Sequence, residues 1–243
     1  MKLICLLTSV PIRKEPISSS EKVSSLLFGE TCIVLEHKED WVKIQSTLDG
    51  YEGYVSEERL VKYSPEKHLF TKRVYSPFLN AVSTNESILI PCGSYIPEST
   101  NFIYRGNAFT ILEKENESKD LLNLAKQFLK TPYDWGGRSI FGIDCSGFMQ
   151  VIFSLCKIQL PRDAYQQEEK GTSIPYKERQ VGDVAFFINQ KGRVTHVGIL
   201  SSKDSIIHSA GFVREDTFNE KGIFREIESE QTHTLHSIKR FIN

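Results

Sequence analysis

Three residues of this 243-residue chain carry readable chemistry: Cys145, His196 and His208. Cys145 opens a stretch in which Phe148, Val151, Ile152, Leu155 and Ile158 recur at helical spacing, with Asp144 placed as N-cap. The partial positive charge and free N–H groups of a helix N-terminus favour a thiolate, the form a cysteine nucleophile needs. The expectation is a thiol of lowered pKa that alkylates fast at neutral pH. His196 and His208 lie in two strand-like runs, 194–200 and 205–209, on either side of the turn residues Ser201, Ser202, Lys203 and Asp204. A hairpin centred on residue 202 makes the two histidines near cross-strand neighbours on one face. One could then serve the thiol as general base while the other orients it. A buried structural cysteine and two ordinary strand histidines would show the same spacing.

The other candidates read as bland. His233 and His236, three apart, imitate a metal pair without the further ligands of a metal motif, so no metal site is expected. His37 and His68 sit in polar turns and read as solvated. The five cysteines (5, 32, 92, 145 and 156) are odd in number and contain no C-x-x-C, which excludes a disulfide framework and zinc-finger spacing. Apart from Cys145 they are expected to be small buried apolar groups.

An α+β arrangement must position these groups. Residues 1–64 read as short strands of a small barrel: 3–10, 31–36, 41–45 and 51–55, with a hairpin signal at Asp49-Gly50. After a boundary near Pro65, residues 65–112 continue in the same style, as a degenerate second barrel or a linker. A polar joint at 113–119 opens the last segment, 113–243. There a helix over 121–129 stops at Thr131-Pro132, a glycine-paired loop follows, and the Cys145 helix leads to strands at 184–188, 194–200 and 205–209.

Composition sets outer bounds. The chain is 40% hydrophobic and 25% charged, ordinary for a soluble domain protein. Its 30 Lys+Arg against 31 Asp+Glu give a net charge of −1, without the basic excess of a nucleic-acid binder. No apolar run nears the ~20 residues of a membrane span. The apolar residues 3–10 after Lys2 are met by Pro11, Arg13 and Lys14, so they read as a first strand rather than a signal peptide. The expected location is cytoplasmic, with the periplasm as the alternative.

Motifs in order add a resemblance. Tyr133-Asp134-Trp135-Gly136-Gly137, Asp144-Cys145-Ser146-Gly147, Pro161-Arg162-Asp163, Gly182-Asp183-Val184-Ala185-Phe186, His196-Val197-Gly198 and Ile207-His208 resemble the successive motifs of NlpC/P60 cysteine peptidases. Pro11-Ile12-Arg13, Phe28-Gly29-Glu30, Asp40-Trp41-Val42 and the 49–55 hairpin resemble the bacterial SH3 domain of one branch, the γ-D-glutamyl-L-diamino acid endopeptidases. The resemblance implies a reduced papain-like core, with a helix packed on an antiparallel sheet. It implies Cys145 as nucleophile, His196 as base, His208 as its orienting partner and Tyr133 at the oxyanion site. Asp144 and Ser146 match substrate-contacting positions, Asp144 pairing with the free α-amine of an N-terminal L-alanine. Glu21 and Tyr51 are candidates for the wall by which the SH3 domain limits the cleft; by residue type alone they are a solvated loop residue and a hairpin aromatic.

The implied substrates are murein peptides, L-Ala-γ-D-Glu-diamino acid, cut to release L-Ala-D-Glu during cell-wall peptide recycling. The resemblance implies a monomer that needs no cofactor. It leaves diaminopimelate and lysine as alternatives for the diamino acid. Residues 65–112 match less well, and Ala164-Tyr165 stand where relatives often carry serine. The rival readings are a non-catalytic murein-peptide module and an amidase or acyltransferase on the same core.

Overall fold

Alternation of apolar and polar residues folds the N-terminal part into short antiparallel strands. The computed structural model describes residues 1–113, 120–225 and 230–242. It divides into two units, Met1–Ser118 with Trp135–Phe141, and Lys119–Asp134 with Gly142–Asn243. Apart from Glu113, the polar joint expected at 113–119 lies outside the described residues.

In the first unit, β1 (Lys2–Ile4), β2 (Ser9–Arg13), β3 (Lys22–Leu27), β4 (Thr31–Lys38), β5 (Trp41–Ser46), β6 (Glu52–Ser56) and β7 (Val61–Lys62) make one sheet in the order β3-β2-β6-β5-β4-β1-β7. A second group is β8 (Phe70–Arg73), β9 (Phe78–Val82), β10 (Ser87–Pro91), β11 (Tyr95–Pro97), β12 (Asn101–Tyr104) and β13 (Asn107–Ile111). It forms a four-stranded sheet, β10-β9-β13-β12, and a β11-β8 pair. The apolar run 3–10 is split between β1 and β2, and its alternate residues face two cores. Leu3, Cys5 and Val10 join Ile12, Val42 and Val55. Ile4 and Leu6 join Phe28, Leu79, Phe102 and Phe109. Burial on both faces is why this segment reads as continuously apolar. The expected hairpin joins β5 to β6, with Gly50 at φ +74° and the Asp49 carboxylate accepting from the Tyr51 N–H at 3.1 Å.

Residues Trp135–Phe141, with β14 (Arg138–Ser139), belong to this first unit. Arg138 is fully sequestered there. It donates to both carboxylate oxygens of Glu30, at 2.8 and 3.0 Å, and to the Ser25 carbonyl at 2.8 Å. Gly136 takes φ +74°, and a Cβ there would lie 2.5 Å from the Lys22 carbonyl oxygen, so only glycine fits.

The second unit begins with α1 (Leu121–Gln127), capped by Asp120, which accepts from the N–H groups of Leu122 and Asn123. After β15 (Gly142–Ile143) come α2 (Cys145–Leu155), α3 (Ala164–Glu168) and β16 (Thr172–Ser173). The sheet then builds from β17 (Val184–Ile188), β18 (Val194–Leu200), β19 (Ser205–Ala210), β20 (Phe212–Asn219), β21 (Gly222–Arg225) and β22 (Glu230–Arg240). Its order is β16-β22-β17-β18-β19-β20-β21, and β21 pairs back onto β22. The long β22 does this by giving residues 230–234 to β21 and 234–239 to β17. The sheet thus closes on itself, and α2 packs against β18 and β19. Among the described residues, no helix is long and apolar enough to cross a membrane.

Candidate active site

The Cys145 helix starts where the sequence places it. Asp144, in extended conformation, caps it by accepting from the Gly147 N–H at 2.7 Å. The same carboxylate is bonded through both oxygens to the guanidinium of Arg162, whose Nη1 also donates to Ser146 Oγ at 2.8 Å. Asp144, Ser146 and Arg162 are all buried. A charge this deep requires a partner, and Arg162 supplies one. A substrate amine at Asp144 would therefore compete with a guanidinium already in place.

Cys145 Sγ points at the Thr195 carbonyl oxygen, 3.9 Å away, and the Val197 N–H also contacts it, so backbone on either side of His196 flanks the sulfur. The expected low pKa is not found. Burial pushes the thiol up to about 12, and the Asp144 charge adds to the shift. Arg162 and the N–H groups of Val197 and Ser146 offset only part of this. Desolvation outweighs the helix terminus, and the resting sulfur is a thiol.

Tyr133 is fixed by its backbone. It bridges in parallel to Ile143, just before Asp144, and its N–H donates to the Gly211 carbonyl at 2.9 Å. Burial, then the nearby Cys145 and Asp144, raise the phenol pKa, so the hydroxyl remains a hydrogen-bond donor.

The histidine hairpin is centred one residue later than expected, at 203. Gly198 stands opposite His208, and Leu200 opposite Ile206. Across the loop the Ser205 hydroxyl bonds those of Ser201 and Ser202 at 2.7 Å. Parity is preserved, so His196 and His208 share a face as diagonal neighbours. Gly198 makes room between them: a Cβ there would come 2.8 Å from His208 Cβ.

His196 Nε2 and His208 Nδ1 are 2.8 Å apart, and His208 Nε2 lies 2.9 Å from Asp216 Oδ2. Arg214 Nε donates to that same oxygen at 2.8 Å. Burial raises the Asp216 pKa, but His208 and Arg214 outweigh it and hold the carboxylate below the usual range. An ionised carboxylate only accepts, so His208 carries its proton on Nε2 and offers a bare Nδ1. His196 must then donate from Nε2, which leaves its Nδ1 free to take a proton. Burial, reinforced by His208, His233 and Arg214, keeps the His196 pKa far below its ordinary value. Cys145 and His196 both rest neutral.

Sequence reasoning missed Arg162, Asp216, Arg214 and His233. Asp216 follows from the period-two rule only once β20 is in place. His208 pairs with Arg214, which puts Asp216 on the same face two residues on. His233, read as bland, stacks its ring on His196 with centroids 4.1 Å apart and planes at 27°. Burial lowers its pKa to about 4. One ring nitrogen from each of His196, His208 and His233 lies within 4.8 Å of the others, a set of metal-ligand type. His236 is exposed. His68 is buried rather than solvated, its Nδ1 accepting from the Ser64 N–H at 3.0 Å.

The two SH3-region candidates belong to the first unit. Glu21 Oε1 accepts from the indole N–H of Trp135 at 2.9 Å. Tyr51 sits at the β5–β6 turn, its carbonyl accepting from the Ser46 N–H at 2.9 Å.

Known proteins match both parts of the chain. Residues 130–231 match the NlpC/P60 family and residues 8–61 the bacterial SH3 domain. A γ-D-glutamyl-L-lysine dipeptidyl-peptidase of Bacillus subtilis is 29% identical over 76% of this chain and 71% of its own length. An enzyme of the same name from Bacillus cereus is 30% identical over 75% and 66%. A probable endopeptidase of Haemophilus influenzae is 31% identical over 57% of this chain and 84% of its own. The crystal structure of an NlpC/P60 family protein from Bacillus cereus superposes with a TM-score of 0.83 at 22% identity, covering all of both chains. The order of the motifs, the fold of both parts and these relatives place the chain in the NlpC/P60 family of cysteine peptidases, with a bacterial SH3 domain ahead of the peptidase domain.

Proposed function

We propose that the chain hydrolyses murein peptides at the bond between γ-linked D-glutamate and the diamino acid, releasing L-Ala-D-Glu from peptides with a free N-terminal L-alanine. The observation that carries this reading is the ordered series Cys145, His196, His208 and Asp216 in a chain similar to two γ-D-glutamyl-L-lysine dipeptidyl-peptidases.

The chemistry starts from neutral groups. As Cys145 Sγ attacks the γ-carbonyl carbon, its proton passes to His196 Nδ1. The new imidazolium donates from Nε2 to His208 Nδ1, and Asp216 holds His208 in the accepting tautomer. The oxyanion falls to N–H groups at the start of α2 and to the Tyr133 hydroxyl; one such donor is worth about 2.7–4 kcal/mol. His196 returns the proton to the departing amine, the C–N bond breaks, and a thioester remains. Water, losing a proton to His196, then releases the carboxylate and restores the thiol.

The test is mass spectrometry of L-Ala-γ-D-Glu-lysine and L-Ala-γ-D-Glu-diaminopimelate after incubation with the wild type and with Cys145→Ala. L-Ala-D-Glu is expected from the wild type alone, and not from N-acetylated peptides. Folded wild type that cuts neither peptide would overturn the reading, and cleavage of acetylated peptide would remove the amine requirement.

A further inference from the structure

A proton count around the histidines leaves one lone pair too many. His208 spends its Nε2 proton on Asp216 and presents a bare Nδ1. The hydroxyl hydrogen of Thr232 goes to the Ile223 carbonyl at 3.3 Å, so the same oxygen accepts from His233 Nδ1–H at 2.9 Å. His233 therefore presents a bare Nε2. His196 Nε2 spends its proton on His208 Nδ1 at 2.8 Å, which leaves His233 Nε2 with no donor among the three rings. The three rings are packed together, His233 stacked on His196 with centroids 4.1 Å apart and one nitrogen of each ring within 4.8 Å of the others. A close group of imidazoles with a surplus lone pair, two of its three rings buried, suits a borderline-soft cation.

We propose that His196 Nε2, His208 Nδ1 and His233 Nε2 form a capture site for a divalent cation of the zinc class, and that its occupancy switches the peptidase off. The outer partners are those a metal-binding histidine needs: Asp216 behind His208 and the Thr232 hydroxyl behind His233, each fixing a ring and its tautomer. Zinc sits about 2.0–2.1 Å from each nitrogen, which places tetrahedral ligands roughly 3.3 Å apart. The 2.8 Å pair must open slightly, the His196 and His233 rings must unstack from their 4.1 Å contact, and the three nitrogens must converge from within 4.8 Å. Water takes the fourth position. Arg214 and Arg225 lie near enough to oppose a cation, and the Asp216 carboxylate offsets one of those two charges.

Protons balance without release to solvent. The ion takes the Nε2 lone pair of neutral His196, so the ring proton moves to Nδ1. That is the position which must be bare to accept the thiol proton. The metal thus blocks catalysis by imposing the wrong tautomer, with no bond to sulfur.

Zinc binding is measured by calorimetry on Cys145→Ala, which removes the thiol as a ligand and makes the result independent of any substrate assignment. The expected result is one ion per chain, with affinity falling roughly 100-fold or more in Cys145→Ala/His233→Gln, beyond the loss usual for an outer partner. Cobalt in Cys145→Ala should give tetrahedral visible bands. In the wild type the sulfur-to-cobalt charge-transfer band should be absent. Peptidase activity is then compared with and without zinc for the wild type and His233→Asn, each against its own zinc-free rate; the variant should resist zinc and a chelator should restore the wild type. No binding by folded Cys145→Ala, equal affinity after loss of His233, or a sulfur charge-transfer band would each overturn the proposal.

Discussion

Asp216→Asn separates the charge of the carboxylate from its role as an acceptor. Its Oδ2 receives both His208 Nε2–H at 2.9 Å and Arg214 Nε–H at 2.8 Å. An asparagine amide facing two donors must present its oxygen there, so His208 keeps its tautomer and only the negative charge is lost. A hydrogen bond to a charged group is worth about 1.5–3 kcal/mol and a neutral one about 0.5–1.5. The difference, roughly 1–1.5 kcal/mol, predicts a five- to fifteen-fold fall in kcat/KM. Asp216→Ala removes the acceptor as well. His208 can then place its proton on Nδ1, facing His196, and the base nitrogen is filled; the further loss of about 1–3 kcal/mol predicts a fall of roughly 30- to 2,000-fold in all. The carboxylate acts to raise the His208 pKa, and His208 must be neutral to accept from His196, so both variants should move the acidic limb of the pH–rate profile to lower pH. The assay is kcat/KM from release of L-Ala-D-Glu across pH, with histidine ¹⁵N shifts to report the tautomers. Equal damage by Asn and Ala would refute the division into charge and tautomer. Activity within twofold of wild type, or a change in KM alone, would show that Asp216 does not act through the base.

Gly198→Ala should drive a Cβ to 2.8 Å from His208 Cβ and 2.9 Å from Ile206 Cδ1, lowering kcat more than tenfold while Tm falls by only a few degrees; full activity would refute this role for the glycine. Arg138→Met strands the Glu30 carboxylate in the first unit and should cost about 3–5 kcal/mol in urea unfolding, much of it recovered in Glu30→Leu/Arg138→Met. Iodoacetamide should label Cys145 slowly at pH 7 and faster as pH rises, since burial puts the thiol near 12. His196 and His208 have folded pKa values below their unfolded ones, so their contribution is complete above about pH 6.5 and is lost as pH falls below it. Together they should remove about 2–3 kcal/mol per pH unit, and equal urea midpoints at pH 7 and pH 5 would contradict that.

How legible each part was depends on what burial does to it. The strands at 184–188 and 194–200 were read to the residue because both are apolar runs buried along most of their length. Cys145, His196 and His208 were legible from residue type and parity. β20 and β22 were not, because Val213 and Phe218 are the buried residues of an otherwise polar β20, and β22 is mostly half-exposed. With those strands went Asp216 and His233, which complete the site. The hairpin register was placed one residue early because parity fixes the face a side chain takes but not which residue stands opposite it. The thiol pKa went the wrong way because the helix terminus is visible in sequence, whereas the desolvation that overrides it exists only after folding.

The assignment of Trp135–Phe141 to the first unit means that the chain passes between its two units three times, not once. A cut at the polar joint would therefore not yield a self-sufficient peptidase. The excised piece would carry Arg138 without the buried carboxylate that neutralises it, and the remainder would keep Glu30 unmatched. Two ends of one ion pair, 108 residues apart in sequence, would have to be lost or replaced together. Such a protein cannot exchange its front part like a detachable module.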